Sequence, residues 1–84
     1  MKPAQESPLV KAAHVRMARA GLNWSLEDLA QASGVHRNTI SNFERGIYEG
    51  EPNSLAKIRK ALEKAGIEFT DGDTLGVRLK LKRR

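Results

Sequence analysis

The chain has 84 residues, no cysteine, and a formal net charge of +5 from 15 basic and 10 acidic residues. This length suits one small domain without a second, ligand-sensing domain, and the lack of cysteine excludes disulfides and cysteine-ligated zinc. No apolar stretch approaches the ~20 residues of a membrane span, and the first residues lack the apolar region of a secretory signal, so a soluble, cytoplasmic protein is expected.

The first predicted helix follows a loose tail over residues 1–7. Ser7 and Pro8 are a typical cap and first-turn pair, so the helix is expected to start near Pro8. Asn23 suits a left-handed helix end. Its apolar positions at helical spacing, together with the tryptophan that follows, predict core residues: Val15, Ala18, Leu22 and Trp24.

Two short helices joined by a glycine turn are predicted between Ser25 and Gly46. Ser25 is a suitable N-cap, and Gly34 suits a left-handed turn. The second helix has an apolar inner side and a polar outer side. The inner residues are Val35, Ile40 and Phe43, and the outer residues are Arg37, Asn38, Ser41, Asn42 and Arg45.

The polar side of the second helix is either a solvated surface or a surface that contacts DNA bases. Arginine can bond guanine bidentately and asparagine can bond adenine, whereas asparagine weakens a helix and is a poor choice for mere solvation. Base recognition is therefore the favoured interpretation. The predicted base-contacting residues are Arg37, Asn38, Ser41 and Asn42.

Ten positions of this segment follow a known spacing, namely Ser25, Glu27, Leu29, Ala30, Gly34, Val35, Ile40, Ser41, Glu44 and Gly46. In them the chain resembles the Cro and lambda-repressor-like helix-turn-helix regulators, also called the xenobiotic response element family. The resemblance extends from about Val15 to about Leu62. It implies a bundle of four or five helices whose third helix lies in the major groove of double-stranded DNA. A mainly α, compact four-helix DNA-binding domain is therefore expected over residues 8–66.

The resemblance further implies that Arg19 pairs with Glu44 and lies near a phosphate. The residues agree, because a glutamate beside a core-facing phenylalanine needs a cation if it is partly buried. The predicted phosphate contacts are Arg19, Ser25, His36, Arg45, Asn53, Ser54 and Lys57.

Three features depart from the family pattern. Leu26 stands where many members have a glutamine that bonds a phosphate or supports the base contact. The loop over residues 47–51 is acidic where many relatives are basic. His36 stands where serine or threonine is usual at the start of the recognition helix. It is a weaker N-cap that either contacts a phosphate or is simply exposed.

A fourth helix is predicted from Pro52 to Gly66, with Leu55, Ile58 and Leu62 turned inward. Its first turn is either a phosphate site formed by Asn53, Ser54 and Lys57 or an ordinary capped surface.

After Gly66 the apolar period changes from 3.6 to 2, which predicts a C-terminal β-hairpin and basic tail over residues 67–84, with a turn at 71–76. A lone two-stranded ribbon is marginal in water, so its apolar side must pack on the helices or on another chain. Dimerisation through this element is the favoured interpretation. The predicted dimer contacts are Val77, Leu79 and Leu81.

Together these features predict a DNA-binding regulator, acting as a homodimeric repressor on an inverted repeat, with activation as another possible outcome. The alternative is an antitoxin-type module that binds a partner toxin and regulates its own operon. No nucleophile, metal-ligand cluster or phosphate-binding glycine loop is apparent, so neither an enzyme nor a cofactor is expected.

Overall fold

The computed structural model describes residues 11–69 and 77–79. Four helices precede a two-stranded antiparallel hairpin, which confirms the predicted fold class. The elements are α1 (Ala12–Leu22), α2 (Leu26–Ser33), α3 (Arg37–Glu44), α4 (Pro52–Lys64), β1 (Ile67–Phe69) and β2 (Val77–Leu79). The predicted tail over residues 1–7, the turn over 71–76 and the basic end with Leu81 lie outside the described residues. In the described part, no helix has the length and apolar character needed to cross a membrane.

The first helix begins at Ala12, later than the predicted start near Pro8, which itself lies outside the described residues. Lys11 has extended backbone, with φ −102° and ψ 163°, and is the N-cap. Its backbone N–H donates to Nδ1 of His14 at 3.1 Å. This bond satisfies an N–H at the start of the helix, so the chain enters α1 at Ala12.

Left-handed residues end the first two helices, as predicted. Asn23 after α1 has φ 60°, and Gly34 after α2 has φ 79°. The backbone N–H of Trp24 donates to the carbonyl of Arg19 at 2.9 Å, which completes the reversal after α1. These two turns set the direction of α2 relative to α1 and the direction of α3 relative to α2.

The principal packing contacts close a ring of six elements. Helix α1 packs on α3 and β2, α2 packs on α3 and α4, and α4 packs on β1, which pairs with β2. Inside the ring lies an apolar core formed by Val15, Ala18, Leu29, Val35, Ile40, Phe43, Leu55, Ile58, Ala61, Leu62 and Ile67. Each large side chain buried here stabilises the fold by about 1.5–3 kcal/mol.

The hairpin closes this ring. Its register pairs Ile67 with Leu79 and Phe69 with Val77. Ile67 is buried, and Phe69 and Val77 pack against the core of the same chain. The apolar side of the hairpin therefore packs on the helices of its own chain, which are one of the two partners expected for it.

A buried histidine joins α1 to the hairpin. His14 is 7% exposed, and its ring meets the ring of Phe69 edge-on, with centroids 5.4 Å apart and an interplanar angle of 83°. Because Nδ1 accepts the Lys11 N–H, the neutral ring carries its proton on Nε2. Within the described part of the chain, Nε2 has no hydrogen-bond partner. A second proton would therefore break the cap and charge a buried ring.

This histidine predicts that the domain loses stability in mild acid. Burial, and then the positive charges of Lys11 and Arg59, lower the pKa of His14 from its ordinary 6.5. The folded state thus takes up this proton less readily than the unfolded chain. The stabilising contribution is complete above about pH 6.5 and is lost as the pH falls through the lower, folded pKa. Urea titrations from about pH 7 to about pH 5 should show a falling free energy of unfolding.

Two glutamine variants separate this effect from general acid sensitivity. His14→Gln keeps an oxygen that can accept the Lys11 N–H but cannot titrate, so it should flatten the pH dependence. Lys60→Gln, at an exposed position of α4, changes neither histidine and should leave the dependence in place. Equal pH profiles for wild type and His14→Gln would rule out His14 as the cause.

Candidate nucleic-acid interface

Local capping builds the segment that leads into α3. Oγ of Ser25 accepts the backbone N–H of Asp28 at 3.0 Å, and the Asp28 carboxylate accepts the backbone N–H of Ser25 at 2.9 Å. This capping box satisfies two N–H groups at the start of α2. At the other end, the Val35 N–H donates to Oγ of Ser33 at 3.1 Å, just past the left-handed Gly34. The α2–α3 turn is therefore held by its own residues.

The two sides of α3 differ in polarity, as the sequence predicts. Ile40 and Phe43 are buried, and Val35 before the helix is buried with them. The opposite side is polar, with Arg37, Asn38 and Arg45 exposed and Ser41 and Asn42 half-buried. All four residues predicted to contact bases thus lie on one helix and away from the core.

His36 caps the start of α3. Its Nδ1 accepts the backbone N–H of Asn38 at 3.0 Å. The imidazole is therefore the side-chain N-cap of α3. With Nδ1 engaged, Nε2 is the ring atom left for the phosphate contact predicted for His36.

An arginine of α1 forms an ion pair with Glu44, the last residue of α3. Nε and Nη2 of Arg19 donate to the two carboxylate oxygens of Glu44, at 2.7 and 2.8 Å. Nη1 donates to the carbonyl of Trp24 at 2.9 Å. Glu44 is 7% exposed, and its hydrogen bonds raise the pKa of the Arg19 guanidinium. The family resemblance implies that these residues pair, and the structure brings them together in a bidentate, largely buried contact.

A second arginine of α1 reaches the same residue. Nη1 of Arg16 donates to the backbone carbonyl of Glu44. Arg16 and Arg19 are three residues apart and lie on one side of α1. The end of α3 is thus bound to α1 through both its side chain and its backbone.

The architecture and this geometry agree with the comparison to known families. A family model described as helix-turn-helix matches residues 15–69, more than half of the chain. The chain belongs to the helix-turn-helix family. It therefore falls among DNA-binding transcription regulators. No curated protein matches the chain.

The loop that follows α3 in this helix-turn-helix domain is tied to the helix end. The N–H groups of Ile47 and Tyr48 both donate to the carbonyl of Asn42, at 2.9 and 3.2 Å. Gly50 has φ 92°, and a Cβ there would lie 2.7 Å from Cδ2 of Leu55. The start of the acidic loop is therefore hydrogen-bonded to α3, and its end passes close to the Leu55 side chain of α4.

An acid is the N-cap of α4, whose first turn is expected to be either a phosphate site or an ordinary capped surface. Glu51 is the N-cap, and its Oε1 accepts a hydrogen bond from Oγ of Ser54 at 3.2 Å. A carboxylate here interacts favourably with the helix dipole and repels an incoming phosphate. Of the three predicted ligands, Ser54 is thus engaged within the chain, while Asn53 and Lys57 are exposed.

The predicted dimer contacts fall in three groups. The Val77 side chain packs on the core of its own chain. Leu79 forms the end of β2, with its backbone paired to Ile67. Leu81 lies outside the described residues. Within the hairpin that the structure describes, the Val77 side chain and the backbone pairing with β1 are thus used within one chain.

The contacts of Asp28 and Arg16 are among those at this interface that were not predicted from sequence. The Asp28 half of the capping box has a local signal, because an acid three residues after a serine cap is typical of such boxes. Arg16 has none, since its contact with Glu44 spans 28 residues and depends on how α1 packs on α3. The described residues hold no group of three or more potential metal ligands.

Proposed function

We propose that this domain is a sequence-specific transcription regulator that binds double-stranded DNA as a homodimer and represses by occupying a promoter. The observation that carries the proposal is the polar side of α3, which is capped at its start by His36 and bound at its end by Arg16 and Arg19. A helix held in this way is suited to enter a major groove with fixed side-chain directions.

The chemistry of that side supports base contact. Arg37 and Asn38 are exposed in the first turn, where helix-turn-helix proteins contact base edges. An arginine fork matches the O6 and N7 of guanine, and an asparagine amide matches the N6 and N7 of adenine. Ser41 and Asn42, one turn later, extend the same surface.

The charge of α1 supports contact with the DNA backbone. This helix and its N-cap carry three basic residues, Lys11, Arg16 and Arg19, and no acid. Arg45, the residue that follows Glu44, is exposed at the end of α3. Of these cations, Lys11, Arg19 and Arg45 are the ones proposed to approach phosphates, where they would release counterions and drive binding at low salt.

We propose a homodimer because the recognition surface of one copy is small. One helix contacts only a few base pairs, so two copies about 34 Å apart on successive turns of DNA would give useful affinity. Strand β2 has one hydrogen-bonded neighbour, β1, among the strands that the structure describes. We place the second copy against this C-terminal element, through its backbone edge and the leucines at Leu79 and Leu81.

Selection of bound sites from random duplex DNA tests the proposal. The expected result is a short inverted repeat, with half-sites about one helical turn apart. Enrichment of a single unrepeated site would contradict the dimer but keep the DNA-binding function. No enrichment at all would overturn the proposed function and favour the toxin-binding alternative, which co-purification with a neighbouring gene product would then test.

The acid at the start of α4 predicts an unusual gain of affinity. Replacing Glu51 with glutamine removes a negative charge from the N-cap of α4, the helix whose first turn carries the proposed phosphate contacts Asn53 and Lys57. DNA binding should tighten by about two- to fivefold for all sequences alike, as expected for a charge worth about 0.3–1 kcal/mol at a helix terminus. Fluorescence anisotropy with a selected site and with a random duplex measures both affinities.

A second glutamate of α4 provides the control. Glu63→Gln makes the same charge change near the other end of the helix, in an exposed pair with Arg59. Its effect on DNA affinity should be smaller than that of Glu51→Gln. If the two variants gain equally, only the net charge matters and the start of α4 does not approach a phosphate.

A further inference from the structure

The last four carbonyl groups of α3 are all satisfied, but not in the same way. Three accept backbone N–H groups from the residues that follow. Ser41 accepts from Arg45 at 3.0 Å, and Phe43 accepts from Gly46 at 3.1 Å. Asn42 accepts from the loop, as described above. The fourth carbonyl, that of Glu44, accepts from the side chain of Arg16 on α1.

We infer that Arg16 is a positioning residue of the DNA interface, which sets the direction of α3 by capping its last carbonyl. This inference rests on the proposed function. A cation at a helix C-terminus is favoured by the dipole, and a guanidinium supplies the hydrogen bond as well as the charge. Helix α3 thus receives its C-terminal cap from a different helix.

Two points of attachment restrict rotation better than one. Arg19 alone holds the Glu44 side chain, which can pivot about its own torsions. Arg16 adds a bond to the backbone of the same residue, from one turn earlier on α1. The two contacts together fix how the end of α3 lies against α1, and base contacts tolerate displacements of only about 0.5 Å.

The effect of losing this cap should depend on position along α3. Ser41 and Asn42 lie within one turn of Glu44, whereas Arg37 and Asn38 lie at the other end, where His36 holds the helix. Movement of the free end would therefore displace Asn42 more than Arg37. A phosphate contact by Arg16 would instead weaken binding to all sequences equally.

The test uses the full chain and the site selected by the wild type. Arg16→Met removes the charge and all hydrogen-bond donors, whereas Arg16→Gln removes the charge and keeps an amide donor. Affinities are measured for the selected site and for each single-base variant. An Asn42→Ala footprint identifies the bases that Asn42 contacts. In Arg16→Met we expect the discrimination between the selected base and the other bases to fall about 5- to 20-fold at those positions. At the positions assigned to Arg37 it should change little.

Rescue and charge controls complete the experiment. Arg16→Gln should recover part of the discrimination, because its amide can still donate to the Glu44 carbonyl. Lys60→Gln, at an exposed position of α4, makes the same charge change and should leave discrimination intact. Circular dichroism establishes that each variant is folded. If Arg16→Met does not fold, Arg16→Gln and Arg16→Lys are compared with the wild type instead. Each should lose part of the discrimination at the bases assigned to Asn42 and little at those assigned to Arg37, whereas equal loss at all bases, or no loss in either variant, would overturn the inference.

Three results would overturn the inference. One is an equal loss of affinity for every single-base variant, with the slope of log affinity against log salt concentration reduced by about 0.9, which would make Arg16 a phosphate contact. Another is unchanged discrimination in a folded Arg16→Met, and the third is loss in Arg16→Gln as large as in Arg16→Met. Failure of the wild type to select any site overturns the proposed function and this inference together, and is seen before any variant is made.

Discussion

Replacing Glu44 with glutamine should lower the free energy of unfolding by about 3 kcal/mol, because it breaks a largely buried ion pair. The carboxylate is 7% exposed and binds Arg19 through both oxygens. The amide has the same size but no charge, and its NH₂ group would face guanidinium donors. The Arg19 side chain, 21% exposed, would then keep its positive charge without a counter-charge.

Thermal unfolding measures this effect against a matched variant. A loss of about 3 kcal/mol should lower Tm by about 12–24 °C in a domain of this size. Glu63→Gln makes the same substitution in the exposed pair with Arg59, where about 0.5 kcal/mol or less is expected. Comparable destabilisation in the two variants would show that the burial of Glu44 does not increase the contribution of its ion pair to the free energy of unfolding.

Replacing Arg37 and Asn38 together with alanine should remove most of the sequence preference. Each bidentate base contact is worth about 1–3 kcal/mol of discrimination, so the pair should cost at least about thirtyfold in affinity for the selected site. Both side chains are exposed, and alanine favours a helix, so stability should change by less than about 0.5 kcal/mol.

Binding to the selected site and to random duplex separates base contacts from phosphate contacts. The double variant should lose affinity for the selected site and keep its affinity for random DNA. Lys57→Ala, a proposed phosphate contact on α4, should weaken both alike and reduce the salt slope by about 0.9. An unchanged footprint in the double variant would refute base recognition by the first turn of α3.

Where a feature depends on neighbouring residues, the sequence predicts it well. Ser25 caps α2 because its hydroxyl reaches an N–H three residues away, and Asn23 and Gly34 end helices through their own backbone preferences. The change of apolar period after Gly66 likewise predicts the hairpin from a few adjacent residues. Such features need no knowledge of what packs against them.

Features that depend on packing were missed or misplaced. A proline following serine favours a start near Pro8, but the bond from Lys11 to His14 begins α1 at Ala12. Nothing in the sequence around His14 indicates that Phe69, 55 positions later, will cover its ring. The pair of Arg19 and Glu44 came from a family resemblance, whereas Arg16 has no such precedent and is revealed only by the contact itself.

The capping of α3 also bears on the entropy of binding. A helix of eight residues is unstable by itself in water, so its order must come from the contacts around it. Here His36 orders one end, and α1 and the following loop order the other, without any ligand. The conformational freedom of this helix is lost when the chain folds, so little of it remains to oppose association with DNA.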